Sequence, residues 1–354
     1  LKRFREAFLA RRRTLKQLAE ELDLSVATVS RALGGYEDIA LKTRERVAAK
    51  AREIGYVPNS AGRMLVSGRS GFVGLVIPAS GPAFLDSFIG QFVLGLGEGL
   101  AAEGCDLFMS IAHEGQRELD VIRKLVDSGR ADGLILTRIT EDDERVRFLA
   151  ERRVPFVAHG RLVNSDLSYS WLDTDGTVAF ADAFERLYEL GHRRFALVTI
   201  AERMNARRER EAGLEGAIAA MGDPDVSLDV IRRPRGDLDA IRRDVAAMLV
   251  GTERPTAVLG LYDELALVVM QEAAGLGISI PHELSVIGFD NLAAASLASP
   301  GLSTFDQDVR GSARTIADMV TVAMSQPFNK PLTRLITPKF VARGSHGPVP
   351  TNDH

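Results

Sequence analysis

Residues 14–33 read TLKQLAEELDLSVATVSRAL, and the spacing of their apolar side chains decides the N-terminal fold. Leu15, Leu18, Ala19 and Leu22 recur at i, i+3, i+4 and i+7, the stripe of a short amphipathic helix. The pattern breaks at Asp23-Leu24. Ser25 then has the position and chemistry of an N-cap, and Val29 and Leu33 face inward from a second helix that Gly34-Gly35 ends. Thr43 is placed to cap a third helix carrying Val47, Ala51 and Ile54, closed by Gly55 with Pro58 beyond. A trihelical unit over residues 14–58 depends on tight packing and is too small to hide a ligand, so it works at its surface.

Moving outward, residues 59–70 form a polar, Gly/Ser-containing linker with Met64 and Leu65 as its adjacent apolar pair. Beyond it the pattern changes to alternating strands and helices. Strands are expected at 72–77, 106–111, 133–136, 155–158, 195–200, 257–261 and 285–289, with helical stretches such as 88–102, 118–128, 178–190, 207–221 and 238–250. That alternation implies parallel sheets covered by helices. The units are too many for one comfortable sheet, so two doubly wound α/β lobes with a cleft between them are expected, ligand sites lying at the carboxyl ends of the strands. Residues 344–354 are polar, with two prolines and no heptads, and read as a disordered tail. Residues 1–13 stand as an extension.

Charge separates the same two regions. Residues 1–69 hold 15 Lys/Arg against 8 Asp/Glu, whereas the rest holds 29 against 40. A basic head on an acidic body suits a nucleic-acid end joined to a separate sensing or enzymatic end. The sequence shows no run of eighteen apolar residues and no secretory leader, so a cytoplasmic chain away from membranes is expected. The single Cys105 excludes an internal disulfide, and six scattered histidines offer no metal cluster; neither metal nor cofactor is expected. H-E-x-x-H, G-x-S-x-G and P-loop patterns are missing, and GLGEG at Gly95–Gly99 lacks dinucleotide-binding spacing, so an enzyme is disfavoured.

The stretch 14–33, followed by TRERVAAKAREIGYVPN at 43–59, resembles the lactose-repressor (LacI/GalR) family of transcription regulators. GRSGFVGLVIP, LGHRRFALVTI, SVIGFDN and LSTFDQD resemble successive parts of that family's sensing domain, so the likeness covers roughly residues 14–343. It implies a helix-turn-helix head at 14–58, a hinge at 59–70, and a type I periplasmic-binding-protein-like core at 71–343. Lobe 1 would take 71–172 and 308–336, and lobe 2 would take 173–307 and 337–343. The core motifs alone would also suit a periplasmic sugar-binding protein; the attached head and the missing leader oppose that alternative. The implied function is a repressor on near-palindromic double-stranded operator DNA, acting as a homodimer controlled by a mono- or disaccharide. Three residues depart from the family pattern: Asp23 stands at the usual turn glycine, Gly34 at a frequent asparagine, and Gly62 at a common hinge alanine. The last weakens a hinge helix by roughly 1 kcal/mol.

In a helix-turn-helix the second helix enters the major groove, with its first residues against base edges. Here these are Val26, Ala27 and Arg31. Arg31 alone carries strong donors, and its fork suits guanine O6/N7; Val26 and Ala27 offer only packing on thymine methyls. Ser25, Thr28 and Ser30 are placed for phosphates. The resemblance aligns Leu65 with a hinge leucine that wedges into the minor groove, flanked by Asn59 and Arg63; packing of Leu65 with Met64 is the plain alternative. For the effector, the resemblance implies Arg210, Asp290, Gln307 and an apolar wall at Phe84. Strand-end logic adds Thr137 with Arg138, and His159 with Arg161. Tyr262 stands where an asparagine is usual, offering a stacking face. Trp171 reads equally as packing or ligand wall.

Overall fold

The structure, a computed structural model, describes residues 13–34, 36–56, 69–78, 87–113, 115–163, 165–326 and 329–349. The chain divides into two compact units between Gly71 and Phe72. In the first, α1 (Leu15–Leu22), α2 (Val26–Leu33) and α3 (Leu41–Glu53) close over Leu18, Ala19, Leu22, Val29, Ala32, Val47 and Ala51. Thr14 and Gln17 satisfy each other's backbone N–H groups in a capping box at 3.0 and 3.2 Å. Asp23 ends α1 in the left-handed region at φ 52°, the place where the family's glycine is replaced. The reversal leads directly into Ser25, whose Oγ accepts the Thr28 N–H at 3.0 Å and starts α2. Thr43 does not cap α3. That helix starts at Leu41 behind Ala40, with no side-chain cap. A tie comes instead from Arg46, whose Nη2 donates to the Leu22 carbonyl at 2.7 Å.

The second unit alternates as the sequence suggests. It runs β1 (Phe72–Pro78), α4 (Ser87–Ala102), β2 (Asp106–Ala112), α5 (Glu118–Asp127), β3 (Gly133–Leu136), α6 (Glu144–Glu151), β4 (Phe156–His159) and β5 (Ser170–Thr174). There follow α7 (Gly176–Glu189), β6 (Arg194–Ile200), α8 (Asn205–Met221), β7 (Ser227–Arg233), α9 (Leu238–Leu249), β8 (Ala257–Gly260), α10 (Asp263–Gly275) and β9 (Ser285–Ile287). It closes with α11 (Ala293–Leu297), β10 (Thr304–Asp306), α12 (Val309–Ser325), β11 (Thr333–Ile336) and β12 (Lys339–Val341). Lobe 1 is a parallel sheet in the order β11-β5-β4-β3-β1-β2; lobe 2 is a parallel sheet β7-β6-β8-β9 beside the antiparallel pair β10-β12. The chain therefore crosses between lobes after β5, after β10 and after β11. Both faces of the lobe 1 sheet are covered by apolar cores, with α4 and α12 on one side and α5 and α6 on the other.

Two of the three glycines of GLGEG, Gly95 and Gly99, have a packing role. A Cβ on Gly95 would lie 2.8 Å from that of Ala313, and one on Gly99 would lie 2.6 Å from that of Ala317. Their absence lets α4 and α12 approach closely along one face. The end of the chain corrects the expectation of a disordered tail from 344. Ser345 is fully buried and exchanges backbone bonds with lobe 2: the Val286 N–H donates to its carbonyl at 2.7 Å. Its Oγ donates to the Val286 carbonyl at 2.6 Å and accepts the Ser303 N–H at 2.8 Å. The Gly347 carbonyl lies 2.9 Å from His192 Nε2, and the Val349 N–H donates to Leu190 at 2.9 Å. A polar sequence is held here because its partners are buried backbone groups, which composition does not reveal.

Candidate functional site

Two surfaces carry the residues singled out from the sequence. On the head, Val26, Ala27 and Arg31 lie exposed along α2, and Ser30 is half-buried beside them. Arg31 is held on its own domain, by an ion pair with Asp38 and by its Cζ lying 5.6 Å from the Tyr36 ring centroid. Gly34 shapes this arrangement: a Cβ there would sit 2.9 Å from the Tyr36 ring. Ser25 Oγ and Thr28 Oγ1 lie 2.8 Å apart, so one of their two protons is used between them and the other stays available to a phosphate. Asn59, Arg63 and Leu65 lie outside the described residues.

In the body, the strand ends of the two lobes face each other across a cleft that, mouth included, encloses about 770 Å³ of empty space. Of the residues named from the sequence, His159, Arg210, Tyr262, Asp290 and Gln307 line it. Gln307 joins both sides, its Nε2 donating to Asp290 Oδ1 at 2.5 Å and its Oε1 accepting from Thr174 Oγ1 at 3.0 Å. Arg210 donates from Nη1 to the Leu261 carbonyl at 2.6 Å, and its Cζ sits 3.7 Å over Phe289 and 4.8 Å from Tyr262. Phe88 and Phe92 pack against the His159 ring with centroids at 5.5 and 5.2 Å. Phe88 and Ile89 supply an apolar wall from α4. Phe84, named for that wall, lies outside the described residues.

Thr137 and Arg161 do not line the cleft. Arg138 adopts φ 57°, and this left-handed turn after β3 brings Arg138 itself to the cleft while Thr137 is buried behind it. Arg161 is spent on a brace: Nη2 donates to Glu209 at 2.5 Å and Cζ stacks 5.3 Å from the Trp171 ring. Trp171 is thereby a packing residue of β5. Sequence reasoning missed Asp173, Asn205, Met204 and Arg235, all of which line the cleft. Asp173 lies near the end of β5, whose SWLDT sequence carries no apolar run; the others lie on helix or loop starts, where no periodicity marks them.

The polar atoms of the cleft are poised and incomplete. His159 Nε2, Asn205 Oδ1 and Arg210 Nε are buried and, among the described residues, have no hydrogen-bond partner. Buried polar groups are otherwise nearly always paired, so three orphans, one from lobe 1 and two from lobe 2, form a set that a polar ligand can satisfy. Burial, aided by the charge of Arg210, pushes the His159 imidazole down to about 4, so it is neutral. Burial, aided by Glu209, pushes the Asp173 carboxyl up to about 7.

These two groups oppose each other as pH falls. The Asp173 carboxyl binds its proton more tightly in the folded state, so it adds stability on acidification from about pH 7 toward its unfolded value of roughly 4. His159 does the reverse: its stability is complete above its unfolded pKa of roughly 6.5 and is lost below it. Asp173→Asn is therefore expected to melt higher than the wild type near pH 8 and to lose stability more steeply toward pH 5. Parallel melting profiles for the two proteins across that range would refute this assignment.

Comparison with known proteins matches two regions of the chain. The profile of bacterial regulatory proteins of the lacI family matches residues 14–59, and that of a periplasmic binding protein-like domain matches residues 184–346. The HTH-type transcriptional regulator AglR of Rhizobium meliloti (strain 1021) is 32% identical over 342 residues, covering 95% of each chain. Among solved structures, the transcriptional regulator CelR–cellobiose complex aligns with a TM-score of 0.70 and 26% identity, over 94% of this chain and 100% of the other. The lac repressor dimer bound to operator and the anti-inducer ONPF aligns with a TM-score of 0.79 and 23% identity, over 94% and 99%, a likeness of fold.

Proposed function

Because the chain belongs to the lacI family of bacterial regulatory proteins, we propose that it is a repressor whose hold on operator DNA is set by a saccharide bound between its two lobes. The observation that carries the saccharide is the cleft's chemistry. Arginine, carboxylate and amide groups converge beside Phe88 and Tyr262, and three buried polar atoms there lack partners among the described residues. Hydroxyls, which donate and accept at once, satisfy such a set while the ring's apolar face rests on an aromatic side chain. The CelR neighbour holds cellobiose, which supports a mono- or disaccharide of this size.

On the head, Val26, Ala27 and Arg31 read base edges, and Ser25, Thr28 and Ser30 fix register on phosphates. A homodimer presents two such heads to a near-palindromic site, with Asn59, Arg63 and Leu65 of the hinge at its centre. Lobe closure on the sugar shifts the population of the DNA-competent dimer. By linkage, an inducing sugar binds the DNA-free protein more tightly by the factor it weakens operator binding. The test is a gel shift on the gene's own upstream DNA, followed by a thermal-shift screen of mono- and disaccharides. Equal sugar affinity with and without operator would sink the mechanism.

The chemically sparse reading surface gives one prediction. Arg31→Ala should lose the preference for guanine at one position of each half-site, worth roughly 1–3 kcal/mol, or about 5- to 150-fold. Competition gel shifts with base-substituted operators measure it. A phosphate-contacting position such as Ser30 should instead weaken all sequences alike.

A further inference from the structure

Beside the cleft the two lobes are joined by direct contacts. The segment after β3 runs against the residues leading into α8: Thr140 bridges Met204, the Glu141 N–H donates to the Arg203 carbonyl at 2.9 Å, and the Asn205 N–H donates to Ile139 at 3.1 Å. The Glu141 carboxylate accepts from Arg203 Nε and Nη2 at 3.2 and 2.9 Å and from Arg207 Nη2 at 3.1 Å. Of the clasp side chains that reach the cleft, Asn205 carries the amide. Asn205 Nδ2 donates to the lobe 1 carbonyls of Arg161 at 2.6 Å and Thr140 at 3.3 Å. Its Oδ1 is buried, has no partner among the described residues, and belongs to a residue on the cleft wall.

We propose that Asn205 is the positioning residue that couples occupation of the cleft to clasping of the lobes. Both donors of its amide hold lobe 1, and its remaining acceptor is left for a hydroxyl of the saccharide. A carbonyl oxygen buried without a partner disfavours the clasped state; when the lobes part, water reaches it. A hydroxyl proton delivered to Oδ1 removes that penalty only in the clasped state, and polarises the amide so that its N–H groups donate more strongly. This is differential affinity between two conformations, which is what a ligand needs in order to shift an equilibrium. The sensing half rests on the saccharide reading of the cleft; the clasp does not.

Amide hydrogen exchange on the full chain separates the two. Without sugar, Asn205→Ala and Glu141→Gln should each speed exchange of the Glu141 and Asn205 N–H groups by about tenfold, near the upper range for a lost hydrogen bond. Asn205→Ser, too short to span both carbonyls, repeats the first variant should alanine disturb the start of α8. Saturating cellobiose or maltose should slow this exchange in the wild type and in Glu141→Gln, but not in Asn205→Ala or Asn205→Ser. A merely structural asparagine would leave the sugar response intact. The proposal is overturned by wild-type exchange in the sugar-free Asn205 variants, or by sugar slowing exchange in them. If neither sugar slows the wild type, the sensing half falls for these two disaccharides, and the sugar-free arm still decides the clasp.

Discussion

Arg210→Ala should lower affinity for an effector sugar by about 100-fold or more while the protein still folds. Arg210 is buried on the cleft wall, and a hydrogen bond from a charged donor contributes roughly 1.5–3 kcal/mol. Its free Nε and the rest of its fork offer more than one such bond to vicinal hydroxyls. The substitution also strips the Leu261 carbonyl of its donor and the Phe289 face of its cation, so some stability is lost with the affinity. Arg210→Lys separates the two effects. It keeps a charge against the rings but loses the planar fork, so stability should recover in part and sugar affinity should not. Titration calorimetry with whichever saccharide stabilises the wild type reads the affinity, and thermal melts read the fold. An alanine variant that binds within threefold of the wild type would remove Arg210 from the effector site.

Truncation after Arg343 should be the most damaging change of comparable size on the body. The segment from Ser345 to Val349 satisfies the N–H and C=O of Val286, the N–H of Ser303, His192 Nε2 and the Leu190 carbonyl. Removing it leaves several of these without partners in a buried setting, at roughly 1–3 kcal/mol each. A loss on the order of 5 kcal/mol and a melting temperature lower by roughly 10 °C follow. Ser345→Ala, which removes the Oγ bonds to Val286 and Ser303, should reproduce a fraction of that loss. Circular-dichroism melts decide it, and a truncated chain melting within a degree or two of the full one would show that the strap is not structural.

The head was legible because its signals are local. The spacing of Leu18, Ala19, Leu22 and Val29 follows from helix geometry, and Ser25 starts a helix through its own side chain. Thr43 failed as a cap because a hydroxyl at a plausible position does not settle where a helix begins; α3 is secured by Arg46 reaching Leu22, 24 residues earlier in the chain. In the body, buried strands such as Leu134–Leu136 and Phe195–Ile200 announced themselves by continuous apolar runs. The edge strand β7, largely exposed and charged, did not.

The cleft was half-visible. Arg210, Asp290 and Gln307 came from resemblance, and His159 from its place after a strand. Arg161 had the same credentials as His159, yet its charge is taken up by Glu209 of α8 and its guanidinium lies against Trp171, whereas His159 packs on Phe88 and Phe92 at the cleft. Thr137 and Arg138 differ by a single backbone turn at φ 57°, which no side-chain pattern encodes.

By itself, then, the sequence determined the three-helix head and an α/β body of alternating elements, because each depends on residues a few positions apart. Tertiary structure decided which polar atoms remain unpaired in the cleft, how Asn205 spans the lobes, and why a polar tail is buried. Those outcomes depend on groups more than forty residues apart meeting in a low-dielectric interior, where each pairing is settled by what else is within reach.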